Sequence, residues 1–66
     1  MDGTIERIDT SFGFLRGDDD VWRFFHASAL KNRSIGDLYP GLRVRFTPAD
    51  SPRGPRAEDV VAEDRG

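Results

Sequence analysis

From Leu42 to Phe46 the chain alternates strictly, with Leu42, Val44 and Phe46 on one parity and Arg43 and Arg45 on the other. Side chains of a strand point alternately to opposite faces, so this run predicts a strand with one buried and one solvated side. Similar short runs occur at Gly3 to Ile8, Phe12 to Arg16, Val21 to His26 and Arg56 to Ala62. Turn-forming segments separate them: Asp9-Thr10-Ser11, Gly17 with Asp18-Asp19-Asp20, a long connection over 31–41 ending in Tyr39-Pro40-Gly41, and a loop from Thr47 to Pro55. Nowhere are apolar positions sustained at i, i+3, i+4 and i+7, and only Ala27-Ser28-Ala29-Leu30 suggests a single helical turn.

Five short strands in 66 residues predict an all-β chain of one domain, residues 1–66, with an ordered core over about 3–62 and fraying in the last few residues. An open sheet of this size would leave unpaired edges, so the strands are expected to close into a small antiparallel barrel. The five-stranded oligonucleotide-binding (OB) barrel is the natural candidate and an SH3-like barrel its rival.

Parity also sorts the aromatic residues. Phe12 and Phe14 share a face, and Gly13 between them leaves the crowded opposite side empty, with Leu15 as the core contact next door. Trp22, Phe24 and His26 share a face in the third run, which puts Val21, Arg23 and Phe25 on the other. Both sides of that strand are therefore largely apolar, and one small barrel cannot bury both. If the two runs are neighbours, five rings tile one surface. Exposed aromatic clusters usually mark binding, and every nucleobase offers a π-face to stack on. Two readings stay open for Trp22: it extends this surface, or a bulge across Asp20–Arg23 turns it inward and lets Arg23 escape to solvent.

Net charge is −2, which alone argues against a nucleic-acid partner, but its distribution changes the picture. Seven of the twelve acids fall in Asp18-Asp19-Asp20 and in Glu58, Asp59, Glu63 and Asp64. Residues 1–17 and 21–57 hold nine bases against five acids, or +4, and nine of the ten bases in the chain are arginines, which suit stacking and bidentate phosphate contacts. Arg7, Arg16, Arg43 and Arg56 are expected to border the aromatic face.

Five segments together resemble the bacterial cold-shock domain family: Gly3-Thr4-Ile5, Phe12-Gly13-Phe14-Leu15, Phe24-Phe25-His26-Ala27-Ser28-Ala29-Leu30, Gly41-Leu42-Arg43-Val44-Arg45-Phe46 and Arg53-Gly54-Pro55-Arg56-Ala57. The resemblance runs from Gly3 to about Val61 and implies an OB-type barrel that binds single-stranded RNA or DNA, commonly as an RNA chaperone or regulator of expression. It implies stacking roles for Phe12, Phe14, Phe24 and His26. The chain departs from the family pattern at Arg7, which stands where the family has a tryptophan, at Ala27, which replaces a second stacking phenylalanine, and at Ile35, near a loop aromatic. The Lys-Gly before the first motif is missing, and Trp22 is an addition.

The nucleic-acid-binding residues expected from these arguments are Phe12, Phe14, Phe24, His26, Trp22, Arg7, Arg16 and Arg56. No enzymatic activity is expected: there is no cysteine, no phosphate-cradling glycine loop and no second histidine for a catalytic pair. No cofactor or metal is expected either, since one histidine without cysteine makes a poor zinc site and Asp18-Asp19-Asp20 lacks the ligand spacing of a calcium loop; that run reads as a solvated turn. The rival function is a protein-interaction barrel that uses the same aromatic face. Absence of cysteines, of a signal-peptide-like start and of a long apolar run suggests a soluble cytoplasmic protein, expected to be a monomer with a strand-swapped dimer as the alternative.

Overall fold

A computed structural model describes residues 1–63, and the expected fraying of the last few residues concerns positions mostly outside them. Five strands form: β1 (Asp2–Ile8), β2 (Phe12–Gly17), β3 (Trp22–His26), β4 (Arg43–Ser51) and β5 (Gly54–Ala62). They close in the order β1-β2-β3-β5-β4. Four of the five pairings are antiparallel. The seam between β3 and β5, at Phe24 and Arg56, is parallel, because the chain crosses from β3 through the 27–42 connection before β4 and β5 form. One turn of 3-10 helix covers Ala27–Ala29, where a helical turn is expected from the sequence, and another covers Ile35–Asp37.

The inward parity of each strand makes the core. Ile5, Leu15, Phe25, Val44 and Val60 are fully buried, joined by Leu38, Leu42, Phe46, Ala57 and Ala62. Each large apolar side chain contributes about 1.5–3 kcal/mol on burial. Gly13 is required by this packing: a Cβ there would lie 2.6 Å from the Arg7 carbonyl oxygen and 2.7 Å from Cζ of Phe25.

Two bulges keep the alternation in phase. Ile5 pairs with Leu15 and Arg7 with Phe14, so Glu6 is an extra residue in β1. Without it Arg7 would point inward and Ile8 outward. In β5 the step from Glu58 to Val61 spans one residue more than its partner step from Thr47 to Arg45, and Asp59 takes up the difference at φ 50°. Val60 is thereby returned to the core.

The expected loop over 47–55 is instead mostly strand. β4 and β5 continue as a two-stranded arm, with Pro48 opposite Ala57, Ala49 opposite Arg56 and Asp50 opposite Pro55. The tip is tied by Ser51, whose Oγ donates to the Gly54 carbonyl at 2.8 Å, and Gly54 adopts φ 118°, a value open to glycine.

The three aspartates after Gly17 are more than a solvated turn. Asp18 grips Arg43 of β4 through two hydrogen bonds of 2.9 Å. Asp19 accepts from Arg23 of β3 at 3.0 and 2.8 Å, and Asp20 lies 3.3 Å from Arg16 of β2. One hairpin turn thus takes hold of three strands.

Candidate functional site

The register of β2 against β3 brings the aromatic residues together in rows. Phe12 stands opposite His26, Phe14 opposite Phe24 and Arg16 opposite Trp22, with no bulge in β3. Directly opposed residues in an antiparallel pair share a face. Phe12, Phe14 and Phe24 form a triangle with centroids 5.6, 5.9 and 6.2 Å apart, tilted or edge-on to one another. All three are half-buried on the outside of the barrel, while Phe25 between Phe24 and His26 fills the inside.

The two readings of Trp22 are resolved by Arg23. Trp22 is outward and 53% exposed, and Arg23 points inward with only 8% exposed. No bulge is needed because Arg23 lies at an end of the barrel where partners await it: Asp19 holds the guanidinium at two points, and the Phe46 ring lies 5.3 Å beneath its Cζ. Gly17 leaves room for the pair, since a Cβ there would fall 2.5 Å from an Asp19 oxygen and 2.6 Å from an Arg23 nitrogen.

His26 is exposed at the opposite end of the face. Its Nδ1 accepts from the backbone N–H of Ser28 at 3.1 Å and caps the following 3-10 turn. A nitrogen that accepts this bond is unprotonated, so in the neutral ring the hydrogen resides on Nε2.

The arginines divide into two groups. Arg7 is exposed beside Phe14, and Arg56 stands beside Phe24 across the β3–β5 seam. Arg16 lies on the same face but is bonded to Glu6 at 2.9 Å and close to Asp20, and Arg43, across Thr4 from it, is held by Asp18. The expected rim of Arg7, Arg16, Arg43 and Arg56 is therefore half neutralised from within the molecule. Among the described residues, Arg7 and Arg53 make no salt bridge, and Arg56 approaches Glu58 only at 3.5 Å, its shielded Nε lacking a hydrogen bond.

Arg53 is the residue that reading the chain as strands and loops misses as a site residue. The arm carries it over the seam, where a groove of about 540 Å³ opens between Phe14 and Phe24 on one side and Ser51, Pro52, Arg53, Pro55 and Arg56 on the other. Its signal in the sequence is the Ser51-Pro52-Arg53-Gly54 turn. The groove joins aromatic faces to Arg53, which makes no salt bridge among the described residues, and to Arg56, whose partner Glu58 lies 3.5 Å away, which suits a planar, anionic ligand. Among the described residues no three His, Cys, Asp or Glu side chains converge as a metal site, and no helix is long and apolar enough to cross a membrane.

A closed five-stranded barrel of this order is an OB-type barrel. Residues 1–63 match the 'Cold-shock' DNA-binding domain, and the chain belongs to that family. It is 35% identical over 63 residues to Cold shock protein 1 of Lactiplantibacillus plantarum, covering 92% of this chain and 96% of that protein. Cold shock-like protein CspC of Bacillus cereus is 33% identical over 63 residues, 92% and 97% of the two chains. Cold shock-like protein CspB of Escherichia coli is 36% identical over 59 residues, 85% and 80%.

Proposed function

We propose that this chain binds single-stranded nucleic acid on the face formed by Phe12, Phe14, Phe24 and His26, with Arg7, Arg53 and Arg56 contacting phosphates around it. The observation that carries the reading is the triangle of three phenylalanines on the outside of the barrel, in a domain too small to spare apolar side chains from its core. Stacking is sequence-tolerant, so the activity it supports is to hold RNA or DNA strands unpaired, the work of an RNA chaperone.

Titration with a thymidine- or uridine-rich single strand and with duplex of equal length tests the proposal. The single strand is expected to bind and the duplex to bind far more weakly. Phe14→Ala is expected to weaken binding roughly five-fold or more, corresponding to about 1 kcal/mol or more per lost stack. Its melting temperature should change little, because a half-exposed ring contributes less to folding than a core phenylalanine, whose removal costs about 3–5 kcal/mol. Phe46→Ala is the core control and is expected to unfold the domain. Equal affinity for single strand and duplex, or a Phe14→Ala variant that binds as well as the parent, defeats the proposal in favour of a protein-interaction role for the same face.

A further inference from the structure

We propose that Trp22 forms an additional stacking site for one nucleobase, one row beyond the phenylalanine triangle, so that the face takes a longer strand than the triangle and His26 alone. The inference rests on the single-strand reading above. Trp22 is on the triangle's face by register and precedes Phe24 by two residues, about 6.6 Å along β3. More than half of its surface meets solvent. Phe12, Phe14 and Phe24 cover one another, whereas Trp22 takes part in no ring pair, and the one cation–π contact among the described residues is that of Arg23 on Phe46. Among the described residues, therefore, no ring pair or cation–π contact engages the indole.

The surroundings of Trp22 define what kind of site this is. Its cross-strand neighbour Arg16 is engaged by Glu6 at 2.9 Å and Asp20 at 3.3 Å, and the next position along the row, Thr4, is followed by Arg43 in the grip of Asp18. The cations that could take a phosphate here are already neutralised. What remains is a large π-surface, so the contact expected is with a base, and its contribution should vary little with salt.

Oligothymidines of about four to eight nucleotides, titrated against the parent, Trp22→Ala, Trp22→Phe and Phe14→Ala, test this. Trp22→Ala should keep the parent's melting temperature and its affinity for the shortest oligomer that binds. It should lose roughly five-fold or more on the longer ones, by the same factor at low and moderate salt, and Trp22→Phe should recover most of the loss. Indole emission in the parent should be quenched by the longer oligomers and much less by the shortest. If Trp22→Ala matches the parent at every length while Phe14→Ala binds weakly, the added site is refuted and the aromatic-face reading stands. If Phe14→Ala is also unaffected, or no oligomer binds the parent, both fail together.

Discussion

Arg23 points into the barrel because its neighbours Trp22 and Phe24 point out, and strand geometry allows no third choice. An arginine there is tolerable only when its charge and donors are met, and Asp19 meets them with two hydrogen bonds while Phe46 supplies a π-face. The same hydrogen bonds hold the Asp19 carboxyl down at about 2, against an ordinary value of 3.8. A carboxylate with a depressed folded-state pKa contributes stability that is fully present above about pH 4 and is lost as pH falls through about 2. Asp18, lowered by its hydrogen bonds to Arg43, works in the same direction. The melting temperature is therefore expected to fall steeply between pH 4 and pH 2, and the fall should be shallower in Asp19→Asn. The two partners are not equivalent. Asp19→Ala strands a buried cation and is expected to lower the melting temperature by several degrees at neutral pH, whereas Arg23→Met leaves only a half-exposed carboxylate behind and should cost less. Equal losses in the two variants would contradict this account.

At the scale of strands, alternation was a reliable guide wherever the chain kept a period of two. It placed Leu42, Val44 and Phe46 inside, Phe12 and Phe14 outside, and Phe25 opposite its aromatic neighbours. Bulges were legible only indirectly. Ile5 and Ile8 are both directed to the core, as are Ala57 and Val60, and in each case a spacing of three with two charged residues between shows that the phase has slipped. The arm is obscured because Pro48, Pro52 and Pro55 suggest a loop, although its pairing is local: Thr47 to Ser51 and Gly54 to Glu58 run antiparallel across the Pro52-Arg53 turn, from Ser51 opposite Gly54 to Thr47 opposite Glu58. The three aspartates read as a solvated turn because a run of like charges names no partner: Arg16 and Arg23 lie four residues from theirs on the flanking strands, and Arg43 comes from β4. Because the arm carries Arg53 over the groove, Arg53→Ala is expected to weaken single-strand binding several-fold without shifting the melting temperature. Unchanged affinity would mean that the arm stands clear of the ligand.

The whole molecule carries a net charge of −2, against which the proposed face would have to hold a polyanion, and its ion pairs bear on how it could. Within 3.3 Å, Glu6 and Asp20 neutralise Arg16, Asp18 neutralises Arg43 and Asp19 neutralises Arg23, while Asp2 and Glu58 approach Arg45 and Arg56 only at 3.5 Å. Arg23 lies inside the barrel and its pair serves the fold, whereas the carboxylates on Arg16 and Arg43 occupy outward-facing arginines that would otherwise widen the cationic rim. Surface pairs of this kind add little to stability, so their larger consequence is for binding. If Arg7, Arg53 and Arg56 meet phosphates as proposed, the log–log dependence of affinity on salt should have a slope near −2, from about −0.7 for each of three contacts on a single strand. Asp18→Asn releases Arg43 and should steepen the slope to about −3 while tightening binding at low salt. Filter binding of one oligothymidine by both proteins, across a range of salt from about 0.05 to 0.2 M, measures both quantities. An identical slope in the variant would show that Arg43 lies beyond the strand's path. A slope near zero in the parent would show that stacking alone holds the ligand and that the arginines serve only the fold.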